Sequence, residues 1–264
     1  MELETILALI KVFISLLFLA ILGFEDLKTR ELDSKIVYLY LSLSSILYAL
    51  TLITIVNIVE YLVYTALTLL VTPGVFYILY KYGIIGDGDV YVSLALGLSL
   101  HHPTVYGATL VRYGIIPPAL VAVLYASLIA LLWSVLQGLF NTLHYRSLLK
   151  QLPFKYRAII LFLARPVKAG EFYEDPKYRH YYPLQIFKYT EQGIREEYNL
   201  LRLDDNTRQH VVELIEKGVI PRNYILWITP GLPYVFYMLI GLLILLVIGD
   251  KPLYYLLIKL LTYK

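Results

Sequence analysis

The chain has 264 residues, 59% of them hydrophobic and only 16% charged, with a net charge of +3; soluble domains run at roughly 45–50% apolar. Cysteine is absent, which excludes a disulfide framework, a thiolate metal site and a Cys nucleophile. The charges are unevenly placed: 14 of the 23 basic residues and half of the acids lie between Gly138 and Ile228.

A bilayer crossing needs about 20 apolar residues. The first such block runs from about Ile6 to Phe24, interrupted at Lys11. No small-residue cleavage site follows it. Glu25-Asp26-Leu27-Lys28 comes instead, so it reads as a retained helix and not as a signal peptide. Ser34 is placed to cap a second block, Ile36 to Ile55. Asn57 and Glu60 mark a short turn, and a third block runs from Tyr61 to Tyr80. Thr72-Pro73-Gly74 inside it is expected to kink the helix or end it early.

Lys81-Tyr82-Gly83-Ile84-Ile85-Gly86-Asp87-Gly88-Asp89 leads into a short apolar block, Val90 to Leu100, which closes at His101-His102-Pro103. At about 1.5 Å per residue this block is too short to span alone. It could do so with the preceding turn or beside a locally thinned bilayer. A fifth block runs from Tyr113 to Leu136. The stretch from Gly138 to Ile228 is charged, Tyr-rich and punctuated by five prolines. It is expected to be a soluble insertion, with a helix over Asn206–Lys217 stopped by Gly218 and a strand over Asn223–Ile228. The sixth block is Leu232 to Ile248, and the apolar tail from Pro252 to Lys264 reads as interfacial.

These elements predict an all-α polytopic membrane protein with six transmembrane helices and a soluble cytoplasmic insertion between the fifth and sixth. Residues 1–137 carry the first five helices, 138–228 the insertion, and 229–264 the sixth helix and the tail. The loops after helices 1, 3 and 5 hold Lys28, Arg30, Lys35, Lys81 and the insertion, whereas Arg112 and the few basic residues of the tail lie opposite. The positive-inside bias makes the basic side cytoplasmic and puts the N-terminus outside.

Asp26 and Asp89 then fall at one level, the cytoplasmic boundary. Ionisable groups at that depth are costly and point to function. Taken singly, Asp26 reads equally well as an interfacial charge at a helix end, and Asp89 as an N-cap. Against the second, Asp87 already offers a capping carboxylate. Asp89, Ser93 and Gly97 share one helix face, and Gly23 lies one turn before Asp26. Such small residues let helices approach closely, which is expected to bring the first and fourth helices together; ordinary packing explains the same spacing. Two adjacent carboxylates share a proton, and that arrangement can activate water for amide hydrolysis. No Gly-x-Ser-x-Gly elbow or His-Glu-x-x-His competes. Nor is Asp87-Gly88-Asp89 an EF-hand loop, since its twelfth position is Leu98. His101-His102, on the outer side, reads as surface or capping histidines. No metal or cofactor is expected.

Gly86-Asp87-Gly88-Asp89, with an Asp at the end of the first helix, resembles the archaeal prepilin and preflagellin (prearchaellin) peptidases, GxGD-type intramembrane aspartyl proteases. Asp26-Leu27-Lys28-Thr29-Arg30-Glu31-Leu32 resembles the family's segment after its first catalytic Asp, and Thr229-Pro230-Gly231-Leu232-Pro233 loosely resembles its last-helix motif. The resemblance covers about residues 5 to 137 and 228 to 250, with the insertion outside it. It implies Asp26 and Asp89 as the catalytic pair, supported by Gly86, Asp87 and Gly88. The implied partners are the lipid bilayer and type IV pilin-like or archaellin precursors with a class III signal peptide, not nucleic acid. Glu25, Glu31, Asp33 and Asp87 could draw the basic leader or could simply solvate the loop. Without Cys or a nucleotide-binding motif, no N-methylation is expected. The competing readings are an ion- or proton-coupled transporter using Asp26 and Asp89, disfavoured because no paired halves are visible, and a membrane anchor for the insertion.

Overall fold

The computed structural model describes residues 2–83, 85–110, 114–190, 193–198 and 205–262. Ile84, Arg112, Tyr113 and Lys264, used above for the motif, the orientation and the block limits, lie outside the described residues.

Among the described residues, four helices are long and apolar enough to cross a membrane: α1 (Glu2–Thr29), α2 (Ser34–Thr54), α3 (Ile58–Lys81) and α5 (Pro118–His144). Two further helices fall short of that length. α4 (Asp87–Ser99) has 13 residues and α10 (Tyr234–Ile248) has 15, about 20 and 23 Å at the helical rise, against a hydrocarbon core of about 30 Å.

Several expected boundaries move. α3 does not end at Thr72-Pro73-Gly74; the helix runs through Pro73 to Lys81. α5 continues past Gly138 to His144. Asp33, not Ser34, caps α2: its Oδ1 accepts the Lys35 N–H at 2.8 Å. Asp has the stronger reach here because the cap residue is the extended one before the first helical residue.

The chain divides into two compact units. The first comprises Met1–Lys81, Ile85–Ala130 and Pro233–Lys264. Within it α1 packs on α10, on α2 and on a 3-10 turn (Pro103–Ala108), whereas α4 packs chiefly on α2 and α3. Leu19, Leu22, Tyr40, Leu96, Met238 and Leu242 are buried at its centre. Small residues fix its closest approaches. A methyl group on Gly241 would fall 2.1 Å from the Ala122 carbonyl oxygen, so α10 can lie against the start of α5 only because position 241 has no side chain. The outward faces stay apolar, with Phe13, Val59, Leu70 and Leu128 exposed, as lipid-facing helices require. The tail forms a helix, α11 (Lys251–Thr262).

The second unit comprises Tyr82–Ile84 and Leu131–Leu232. It is α/β, so the expectation of an all-α chain is corrected. Beyond the C-terminal half of α5 come the short helices α6 (Arg146–Gln151), α7 (Phe154–Leu163) and α8 (Ala169–Glu174). β1 (Arg165–Lys168), β5 (Ile225–Pro230) and β2 (Tyr181–Pro183) form an antiparallel sheet with β5 central. β3 (Gln185–Thr190) and β4 (Gly193–Tyr198) form a hairpin. α9 (Asp205–Glu216) buries Val211, Leu214 and Ile215 against Leu226, Ile228 and Phe172. It ends at Gly218, whose φ of +70° is the left-handed stop that glycine favours. The helix and the β5 strand match their expected places. Of the missed strands, β1 and β2 are short, proline-bearing segments whose partner β5 is distant in sequence, whereas β3 and β4 pair with each other.

Candidate active site

Asp26 lies in the last turn of α1 and is 6% exposed. Its Oδ2 accepts the Val235 backbone N–H at 2.9 Å. Val235 sits in the first turn of α10, which Pro233 precedes. Those first N–H groups have no partner within their own helix, and the positive end of the helix dipole favours a carboxylate there. A side chain of α1 therefore caps α10. Where α1 ends, Arg30 adopts φ +58° and returns its N–H to the Asp26 carbonyl at 3.1 Å. This non-glycine left-handed stop keeps the Arg30 charge within electrostatic reach of Asp26.

The turn that follows is tightly bonded. Thr29 Oγ1 donates to the Glu25 and Glu31 carbonyls at 3.0 and 3.1 Å. Glu25 Oε2 accepts the Asp33 N–H at 3.0 Å. The turn also lies directly on the start of α4: a methyl group on Gly88 would come within 2.9 Å of Leu32 Cδ1. Gly88 thus seats Leu32, from the turn after α1, closely against the start of α4.

On α4, Asp89 is half-buried and its Oδ2 accepts the Gly86 N–H at 3.1 Å. Asp87 Oδ1 accepts the Gly88 N–H at 2.9 Å. Asp89 therefore does serve the helix start, reaching back to the position before the helix, and the presence of Asp87 does not argue against that reading. Asp89 lies within the electrostatic field of both Asp26 and Asp87. No hydrogen bond joins Asp26 to Asp89, and each takes a backbone donor at a helix N-terminus.

The expected route to this meeting is wrong in its particulars. Gly23 packs against α10, where a methyl group would lie 3.1 Å from Phe236 Cα, and Gly97 packs against Leu69 of α3 at 3.1 Å. Ser93 bonds to the Val90 carbonyl at 2.7 Å. The small residues thus seat α1 on α10 and α4 on α3, and direct α1–α4 contact is slight. Spacing identifies a face for close approach but not which helix occupies it.

Of the acids expected near a basic leader, Glu25 and Asp33 are engaged in the turn, while Glu31 and Asp87 are exposed. Sequence reasoning missed Arg30, the Val235 N–H, Tyr234 and Tyr237. Tyr234 shares a 2.5 Å hydrogen bond with Ser127, sets its ring against Phe76 at 5.0 Å, and lies within reach of the Asp89 charge. Tyr237 is similarly placed beside Asp26 and Arg30. Pro233 before an apolar run signals a helix start, but not the carboxylate that meets it. His101 and His102 are buried, which overturns the surface alternative, whereas the capping alternative holds for His102, which caps the 3-10 turn. His101 bonds to the Leu98 carbonyl at 2.9 Å through Nδ1, and His102 accepts the Thr104 N–H at 3.3 Å.

The model of the type IV leader peptidase family matches residues 13–135, a stretch that contains both Asp26 and Asp89. That of the archaeal peptidase A24 C-terminus, type II, matches residues 156–251. The second match covers much of residues 138–228, which were expected to lie outside the family; the α/β unit is part of the archaeal pattern. No curated protein matches the chain.

Proposed function

We propose that this chain, which belongs to the type IV leader peptidase family in its archaeal form, hydrolyses the leader peptide bond with Asp26 and Asp89 as an aspartyl pair. The observation that carries this reading is their placement: two carboxylates from separate helices, each on a helix N-terminus, within one another's field. Water between them loses a proton to one carboxylate as its oxygen attacks the scissile carbonyl, while the other carboxyl protonates that carbonyl oxygen. Collapse of the tetrahedral intermediate returns a proton to the leaving amine. Gly88 serves by admitting Leu32, and Val235 N–H and Arg30 hold Asp26 in place.

The substrates in this reading are archaellin or pilin precursors with a class III signal peptide, cut between a short basic leader and the apolar stretch. The site faces the cytoplasm and the N-terminus lies outside, as the basic loops favour. Six crossings follow if α4 and α10 traverse the bilayer as short helices, shielded by the longer ones. Exposed Glu31 and Asp87 supply negative charge for the leader. The product is not N-methylated.

The test is incubation of detergent-solubilised Asp26→Asn and Asp89→Asn variants with a pilin precursor, following leader loss by mobility shift. Both variants lose cleavage if the pair is catalytic. Full activity in both sinks the pair.

A further inference from the structure

The second unit contains a cavity of about 150 Å³ between α5, α7 and the sheet. Trp133, Phe162, Leu163 and Leu232 wall it with apolar surface, and each is between 39% and 55% exposed. The cavity is open to its surroundings, and Ser134, Gln137 and Thr229 add polar groups to its lining, so it offers an apolar guest a wall and not a sealed void. Arg165 stands at its rim. The guanidinium carbon lies 5.0 and 4.7 Å from the ring centres of Tyr178 and Tyr181. Its Nε is buried without a hydrogen-bond partner, and the side chain makes no ion pair with a described residue. Two rings orient this cation, and no described acid pairs with it.

The setting decides the occupant. One wall is the C-terminal half of α5, a candidate membrane span whose Leu132, Leu136 and Leu139 are exposed. An apolar guest beside an unpaired guanidinium, on a helix fit for the bilayer, calls for an amphiphile with an anionic head. Arginine suits phosphate because its fork can donate two parallel hydrogen bonds. We propose that this cavity is a binding site for one anionic phospholipid, with a hydrocarbon chain against Phe162 and Trp133 and its phosphate on Arg165. The site would tie the α/β unit to lipid, a role independent of the carboxylate pair.

The full chain is reconstituted in nanodiscs of phosphatidylcholine with a minority of phosphatidylglycerol, then released and weighed by native mass spectrometry. One phosphatidylglycerol per chain is expected, enriched over the bilayer composition. Arg165→Gln should lower that enrichment about fivefold, the worth of one interfacial cation. Arg165→Lys keeps the charge and should retain most of it. Ser134→Phe, which fills the cavity from its α5 wall, should remove the retained lipid whatever its head. Enrichment unchanged in both Arg165→Gln and Ser134→Phe overturns the proposal. Loss in Arg165→Gln with full retention in Ser134→Phe also overturns it, by separating the head contact from the cavity. Displacement of the lipid by inorganic phosphate, or one-for-one by a pilin precursor, overturns it in favour of that occupant.

Discussion

Two buried charges stand on α1, Lys11 and Asp26, 15 residues and about 22 Å apart. Lys11 is 3% exposed; its Nζ donates to Tyr61 Oη at 3.2 Å and lies 5.7 Å from that ring. Tyr61 in turn stacks on Tyr48 and meets the His101 ring edge-on at 4.4 Å. The space beside Lys11 is only about 10 Å³, room for one water at most. Asp26 is as buried but differently surrounded: a backbone N–H at a helix start, a guanidinium, a second carboxylate and exposed acids beyond. Depth alone therefore does not mark a reactive charge. A charge walled by rings and a neutral hydroxyl holds helices together. A charge within the field of a like charge, with preformed donors at a helix start, can do chemistry.

Breaking the pair tests this contrast most severely. Asp26→Asn and Asp89→Asn should each lower precursor cleavage at least about a thousandfold, and the double variant should be no slower than either alone, because groups acting as a unit lose their effect together. Single-turnover assays would show it. Next comes the glycine before Asp89. Gly88→Ala sets a methyl group against the tip of the Leu32 side chain and should slow cleavage no more than about tenfold, as that side chain turns aside. Leu32→Ala in the same chain should restore most of the rate; no recovery would mean that Gly88 acts otherwise than by admitting Leu32. Asp87→Asn should weaken cleavage only a few-fold, mainly in KM if the acid draws the leader.

Two smaller effects sharpen the line between structure and recognition. Asp33→Ala removes the α2 cap and should lower stability by about 1 kcal/mol, read as an earlier thermal transition in detergent. A rise in KM with unchanged stability would instead return Asp33 to the leader. Lys11→Met should leave cleavage within about twofold and stability unchanged or raised, since an apolar replacement of a buried charge is often tolerated. A cleavage defect in that variant would erase the contrast between the two ends of α1.

Much of this was legible in the sequence because it depends on local rules. Block length and hydropathy mark α1, α2, α3 and α5, since a bilayer core sets the length a helix must have. The brevity of α4 follows from counting. Gly218 ends α9, as a residue free to enter the left-handed region does. Asp26 and Asp89 stand out as ionisable groups at the borders of apolar blocks. The strands around Arg165 and Tyr181 did not, because β1 and β2 are stabilised by pairing with β5, more than 40 residues away in each case, and short strands carry little periodicity of their own. His101 and His102 misled because a histidine pair beside a proline looks like a loop until the rings that cover it are known.

The sequence by itself determined the candidates: two acids at the borders of apolar blocks and a glycine-flanked motif. Only the tertiary structure decided who touches whom. Gly23 faces α10 and not α4, Gly97 faces α3, and Leu32 on Gly88 makes the junction that small-residue spacing assigned to the helix faces. The reason is physical. Side-chain period fixes which face of a helix is narrow or apolar, a local property. The helix that fills that face is chosen by the packing of the whole bundle at once, and the Val235 N–H on Asp26 spans 209 residues.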